Sequence, residues 1–156
     1  MGLRERIMEL AVPFFVERPG QRKGYSGVRA DLERTAGTVA ERIGWAQPTP
    51  ASVKTAKHII GLERWGQRRL EVALGKPLHI DEHHPYKPQG QELSPDDLRK
   101  EFEATRKRTL ELVGQLEQKN YAEKIPHNGL GPLSVLGWLN YLNTHADWES
   151  RRLKHR

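Results

Sequence analysis

No cysteine occurs among the 156 residues. Disulfides, thiolate metal sites and a cysteine nucleophile are therefore excluded, and the composition fits a protein of the cytoplasm. No apolar run approaches the roughly 18 residues of a membrane span. The apolar patch in "MGLRERIMELAVPFFVERPG" is short, carries Glu on both sides and has no small-residue cleavage site, so a signal peptide is not expected. Internal repeats and low-complexity segments are absent. Period-two alternation is missing too, apart from a few residues around 78–80.

A single-signed charge field is also lacking. The formal net charge is +6, concentrated at the two ends and in "RWGQRRLE". Lys and Arg otherwise interleave with Asp and Glu, and no basic stripe carries stacking aromatics. The chain reads as a solvated helical surface, and nucleic acid ranks last among its expected partners.

What is present is helical periodicity, in a length that suits one domain. Val28, Leu32, Ala36, Val39 and Ile43 form a stripe over 27–43. A second segment opens at Thr49, a capping residue followed by Pro50, and carries Ile59, Leu62, Trp65 and Ala73 before Gly75. In the third, Ser94 caps, Asp96 and Asp97 suit the positive end of the helix dipole, and Phe102, Thr109, Val113 and Leu116 continue the apolar face. The fourth follows "NGLGP" with Val135, Trp138, Leu139 and Leu142. Four amphipathic helices joined by two short or medium connections and one long crossover (75–93) predict an all-α four-helix bundle. The expected division is an N-terminal arm over 1–22, a short helix plus an extended stretch, and a bundle domain over 23–156. Phe14 and Phe15 would cover the bundle's end or a partner's surface.

Three residues carry the candidate chemistry. His58 shares a stripe with Leu62, Trp65 and Val72, so it should point inward, where a histidine needs a partner. In "NTHADWESRR", His145 stands four residues before Glu149, on one helix face. Trp138, Tyr141, Leu142 and Trp148 flank that face, which predicts that it meets the bundle. A carboxylate there is costly without a cation. Two imidazoles and one carboxylate suit zinc with an open position, and equally another first-row metal. On spacing alone a surface salt bridge competes, since Arg151, Arg152 and Lys154 follow Glu149. The polar loop "LHIDEHHPY", with His79, Asp81, Glu82, His83 and His84, fixes no geometry and is expected to be solvated. His127 is expected to bond backbone at its turn, and Tyr141 to be a packed tyrosine with its hydroxyl at the rim.

Several stretches resemble the DinB-like, or YfiT-like, metal-dependent helical bundles. "TPASVKTAKHIIGLERW" is similar to that family's second helix, with Ser52, Val53, His58 and, one step late, Glu63. "PYKPQGQELSPDDLRKEFEATRKRTLELVGQL" is similar to its loop and third helix, including Arg106 and Arg108. "PHNGLGPLSVLGWLNYLNTHADWESRRL" is similar to its last helix. The resemblance, over about 23–153, implies an up-down-down-up bundle, often dimeric, with His58 and His145 as ligands of a divalent metal such as zinc, nickel or iron. The family's third ligand is normally a histidine, and this chain has Glu149 there. Either the preference shifts toward oxygen-loving ions or the site has decayed. The resemblance further implies a thiol-dependent transferase or a hydrolase acting on a small molecule, such as a low-molecular-weight thiol. The alternative is a non-catalytic binding or interaction module, whose sign would be Glu149 held by an arginine and the two histidines hydrogen-bonded within the protein.

Overall fold

The structure, a computed structural model, describes residues 2–90 and 92–156, and the backbone alone at 4, 5 and 8–10. Residue 1 of the expected arm and residue 91 of the expected loop lie outside the described residues. Five helices account for most of the chain: α1 (Leu3–Val12), α2 (Arg18–Gly44), α3 (Pro50–Leu70), α4 (Pro95–Lys119) and α5 (Val135–Ser150). A π-helical turn, Pro13–Glu17, joins α1 to α2. A two-stranded antiparallel hairpin, β1 (Ile125–His127) and β2 (Gly131–Leu133), precedes α5. No described helix is long and apolar enough to cross a membrane.

The helix ends follow from local chemistry. Thr49 accepts the Ser52 amide at the start of α3, with Pro50 in the first helical turn. Ser94 and Asp97 form a reciprocal capping box on α4, and Ser134 caps α5 by accepting the Gly137 amide. The α3 helix tightens into a 3₁₀ turn and stops at Gly75, whose φ of 101° is left-handed.

Helix α2 starts nine residues earlier than its apolar stripe. Residues 18–23 are helical, so no extended stretch precedes the bundle. The proline and glycines of this stretch are accommodated: Pro19 sits in the first turn, and Gly24 (φ 66°, ψ −176°) takes up a kink open to glycine alone. The early turn packs closely on α5. A Cβ on Gly20 would lie 2.6 Å from the Leu136 carbonyl oxygen, and the Glu17 carboxylate accepts the Ser134 amide at 2.6 Å. Leu3, Ile7, Phe14 and Phe15 remain exposed.

Long-range bonds give the helix directions. Thr35 meets Asn143 and Arg42 meets Asp147, so α2 and α5 run parallel. Arg64 and Gln67 reach successive turns of α4, at Thr105 and Thr109, so α3 and α4 are parallel as well. Arg29 meets Glu117 while Gly44 lies beside Arg99, which makes α2 and α4 antiparallel. The order is up-down-down-up, and the twenty-odd residues between α3 and α4 are the crossover that parallel neighbours demand.

Two apolar clusters fill the interior. One gathers Leu32, Trp65, Leu112, Leu116, Trp138 and Leu139; the other gathers Val39, Ile43, Ile59, Leu98, Phe102 and Ala146. A polar band lies between them. Glu63 and Arg106 are each 1% exposed and pair through two bonds, 2.7 and 3.1 Å. Arg106 also donates to the Leu32 carbonyl and the Thr35 hydroxyl, Thr109 donates to Glu63 at 2.8 Å, and Thr35 donates to the Asn143 side-chain oxygen at 2.6 Å. All four long helices contribute, so sliding any helix by one turn would strand a buried charge.

Candidate metal centre

The functional side chains sit where α3 and α5 cross and where the crossover folds back over them. His58 lies on the third turn of α3 and His145 on the third turn of α5. Because these helices are antiparallel, the two side chains face each other, and their Nε2 atoms are 3.1 Å apart. Both residues are half-buried. Burial, reinforced by the neighbouring imidazoles, pushes His145 down to about 3. Burial first, then His83, also lowers His58. Both rings are therefore neutral at pH 7, the state in which imidazole offers a lone pair.

One Nε2 must donate to the other, and the buried Nδ1 of His145 then has no partner in either tautomer. On a tetrahedral ion with bonds of about 2.0–2.1 Å, two ligand nitrogens stand roughly 3.3–3.4 Å apart. The observed separation is close to that, so the two imidazoles fit two vertices of one coordination sphere.

Glu149 lies one turn beyond His145, at the rim. Its side chain is 25% exposed and accepts from Arg152 at 3.1 Å. Its charge favours protonated His58, but it does not close a ligand set. Among the described residues, no group of three or more His, Asp or Glu side chains is gathered tightly enough to hold an ion.

The loop over 78–86, expected to be solvated, is docked. His79, Ile80, Glu82 and His84 are exposed, whereas Asp81, His83 and Tyr86 turn inward. The Asp81 carbonyl accepts from Trp65 Nε1 at 3.0 Å, Arg69 at 3.1 Å and Asn128 at 2.9 Å, and its carboxylate accepts the Tyr86 hydroxyl at 2.7 Å. These anchors set the His83 ring 5.0 Å from that of His58, edge to face. Local spacing carries no signal for this placement, because the Trp65, Arg69 and Asn128 anchors come from distant segments. The nearest hint was the donor-rich pair Trp65 and Arg69, which share an α3 face with His58.

The β-hairpin brings His127 to the other flank. Its Nδ1 accepts the Gly129 and Leu130 amides at 3.0 Å each, the backbone bonding expected for this turn. The proton therefore sits on Nε2, which is buried without a hydrogen-bond partner among the Trp65, Trp138 and Tyr141 rings. Burial, then the Arg69 charge, takes His127 down to about 4. Tyr141, between His127 and His145, is pushed up by burial and by Glu149, so its phenol stays protonated.

A family model described as the DinB superfamily matches residues 28–147, well over half of the chain. Comparisons with curated proteins and with solved structures return no match.

Proposed function

The chain belongs to the DinB superfamily, and from that premise we propose that it is a metal-dependent enzyme of the transferase or hydrolase type. The observation that carries this reading is the convergence of the His58 and His145 Nε2 atoms at 3.1 Å. His58 and His145 would hold a divalent ion, zinc, nickel or iron, and Glu149 would complete the set after leaving Arg152. That exchange is inexpensive. Arg152 is 72% exposed, and such surface ion pairs contribute about 0–1 kcal/mol. When bound, the ion supplies Lewis acidity toward a water or the sulfur of a small thiol.

The surrounding residues have roles of their own. The protonated Tyr141 phenol can donate a hydrogen bond to a substrate beside His145. Trp65, Trp138 and Leu142 exclude water from the α3–α5 seam. His83, held over His58 by the docked loop, narrows the approach and is the rival third donor. Leu3, Ile7, Phe14 and Phe15 are the apolar surface through which a homodimer would form, and sedimentation of the wild type against Phe14→Ser/Phe15→Ser tests it.

A second reading has its own support. The Glu149–Arg152 pair and the His58–His145 contact are also what a non-catalytic bundle with a decayed metal site would show. Elemental analysis of untagged protein separates the two. The metal reading expects an ion near stoichiometric with protein and its loss in His58→Ala. Protein that stays metal-free after incubation with zinc, nickel or ferrous iron leaves the binding module.

A further inference from the structure

A concavity of about 750 Å³ lies beside the histidine pair, between the first two turns of α3 and the segment that follows the docked loop. Its walls mix two chemistries. Val53, Pro88 and Leu93 make it apolar, and Lys54, Lys57 and Lys87 bring three ammonium groups to it. Elsewhere on the surface Lys23, Lys76 and Lys100 pair with Asp31, Glu71 and Asp96, while among the described residues Lys107, Lys119, Lys124 and Lys154 stand singly. This cavity differs in gathering three unpaired lysines around one space. Among the described residues no carboxylate lies within ion-pair distance of Lys54, Lys57 or Lys87, although Glu92 lines the same wall. Lys57 is held by the Gly90 carbonyl. The cavity also sits at the N-terminal end of α3, whose dipole adds to the positive potential. Like charges gathered without counter-charges cost stability, and an anion held among them would offset that cost.

The cavity and the histidine cluster are built on adjacent residues. Lys57 and His58 are consecutive, His84 lines the cavity, and its neighbour His83 packs on His58. Lys87 lies directly over α3 at Gly61, where a Cβ would come within 2.6 Å of its side chain. Only glycine lets the segment carrying this lysine approach so closely.

We propose that this cavity is the subsite for the anionic end of the substrate: an organic carboxylate with an apolar body, its charge met by Lys54, Lys57 and Lys87 and its apolar part resting on Val53, Pro88 and Leu93. A molecule held there extends toward the His58–His145 pair. That last step rests on the pair being the reactive centre; the binding itself does not.

Titration of the full-length chain with naphthoate and with uncharged naphthamide, followed by calorimetry without added metal, tests it. Naphthoate should bind at one site, with naphthamide weaker by at least about tenfold, and added salt should erode that difference. Lys54→Gln/Lys87→Gln should weaken naphthoate by about tenfold. Neither side chain makes a hydrogen bond or ion pair among the described residues, so the fold should persist, and an unchanged unfolding midpoint verifies this. No naphthoate binding, equal affinity for acid and amide, or unaltered affinity in the double variant would overturn the proposal. His58→Ala separates the two readings. It should lose the ion and keep naphthoate, so a failed subsite and a failed metal site give different results.

Discussion

Two polar clusters occupy the same bundle, one turn apart, and they are built on opposite terms. The band of Glu63, Arg106, Thr35, Thr109 and Asn143 is deeply buried, and none of its buried side-chain nitrogen or oxygen atoms lacks a partner. The cluster of His58, His145, His83 and His127 is half-buried, and two of its ring nitrogens are buried without partners. A polar group removed from water and left unpaired costs on the order of 1–3 kcal/mol. The band therefore has the character of a device that fixes helix register. The histidines, whose burial is not matched by partners, have that of the candidate site. Both clusters draw on α3 and α5, which shows how one pair of helices serves architecture on one turn and chemistry on the next.

The largest expected effect breaks the band. Glu63→Ala leaves Arg106 buried and unpaired and should destabilise by about 3–5 kcal/mol in urea unfolding. Replacing both partners by leucine should cost much less. His58→Ala, by contrast, should stay within about 1 kcal/mol of wild type. A His58 variant as damaging as Glu63→Ala would make the two clusters the same kind of object.

Acid should separate them next. The folded value of His127 is depressed from its ordinary 6.5 to about 4. The folded state therefore refuses a proton that the unfolded chain accepts. Its contribution to stability is full above about 6.5 and is lost as pH falls toward about 4. Denaturation across that window should show a shallower decline in His127→Gln. Parallel curves would mean that the hairpin tolerates a charged imidazole.

A smaller effect tests the docked loop. Tyr86→Phe removes the bond to Asp81 and should cost about 1 kcal/mol, with faster amide exchange confined to the segment around His83. The smallest is Arg152→Ala. Stability should move by less than about 0.5 kcal/mol, but freeing Glu149 should tighten metal binding several-fold. Unchanged metal affinity would assign the third position to His83 instead.

The bundle was legible because its signals are local. The stripe through Val28, Leu32, Val39 and Ile43 and the caps at Thr49 and Ser94 each depend on near neighbours, and they lie where the periodicity placed them. The early start of α2 was hidden, because Pro19, Gly20 and Gly24 read as breakers until the close contact with Leu136 gives them a purpose. The meeting of His58 with His145 was legible as two inward-facing stripes. His83 was not, since a loop of polar residues acquires a position only from Trp65, Arg69 and Asn128, far away in sequence. The hairpin at 125–133 escaped for a related reason: its register pairs Pro126 with Pro132, and proline argues against a strand on local grounds.

The central claim is that the two facing imidazoles are half of a coordination sphere. Equilibrium dialysis of untagged wild type against zinc, with His58→Ala and His145→Ala alongside, tests it most directly. The account predicts about one ion per chain in the wild type and none retained by either variant, with all three proteins folded. Wild type that binds no ion, or variants that bind as wild type does, would contradict it.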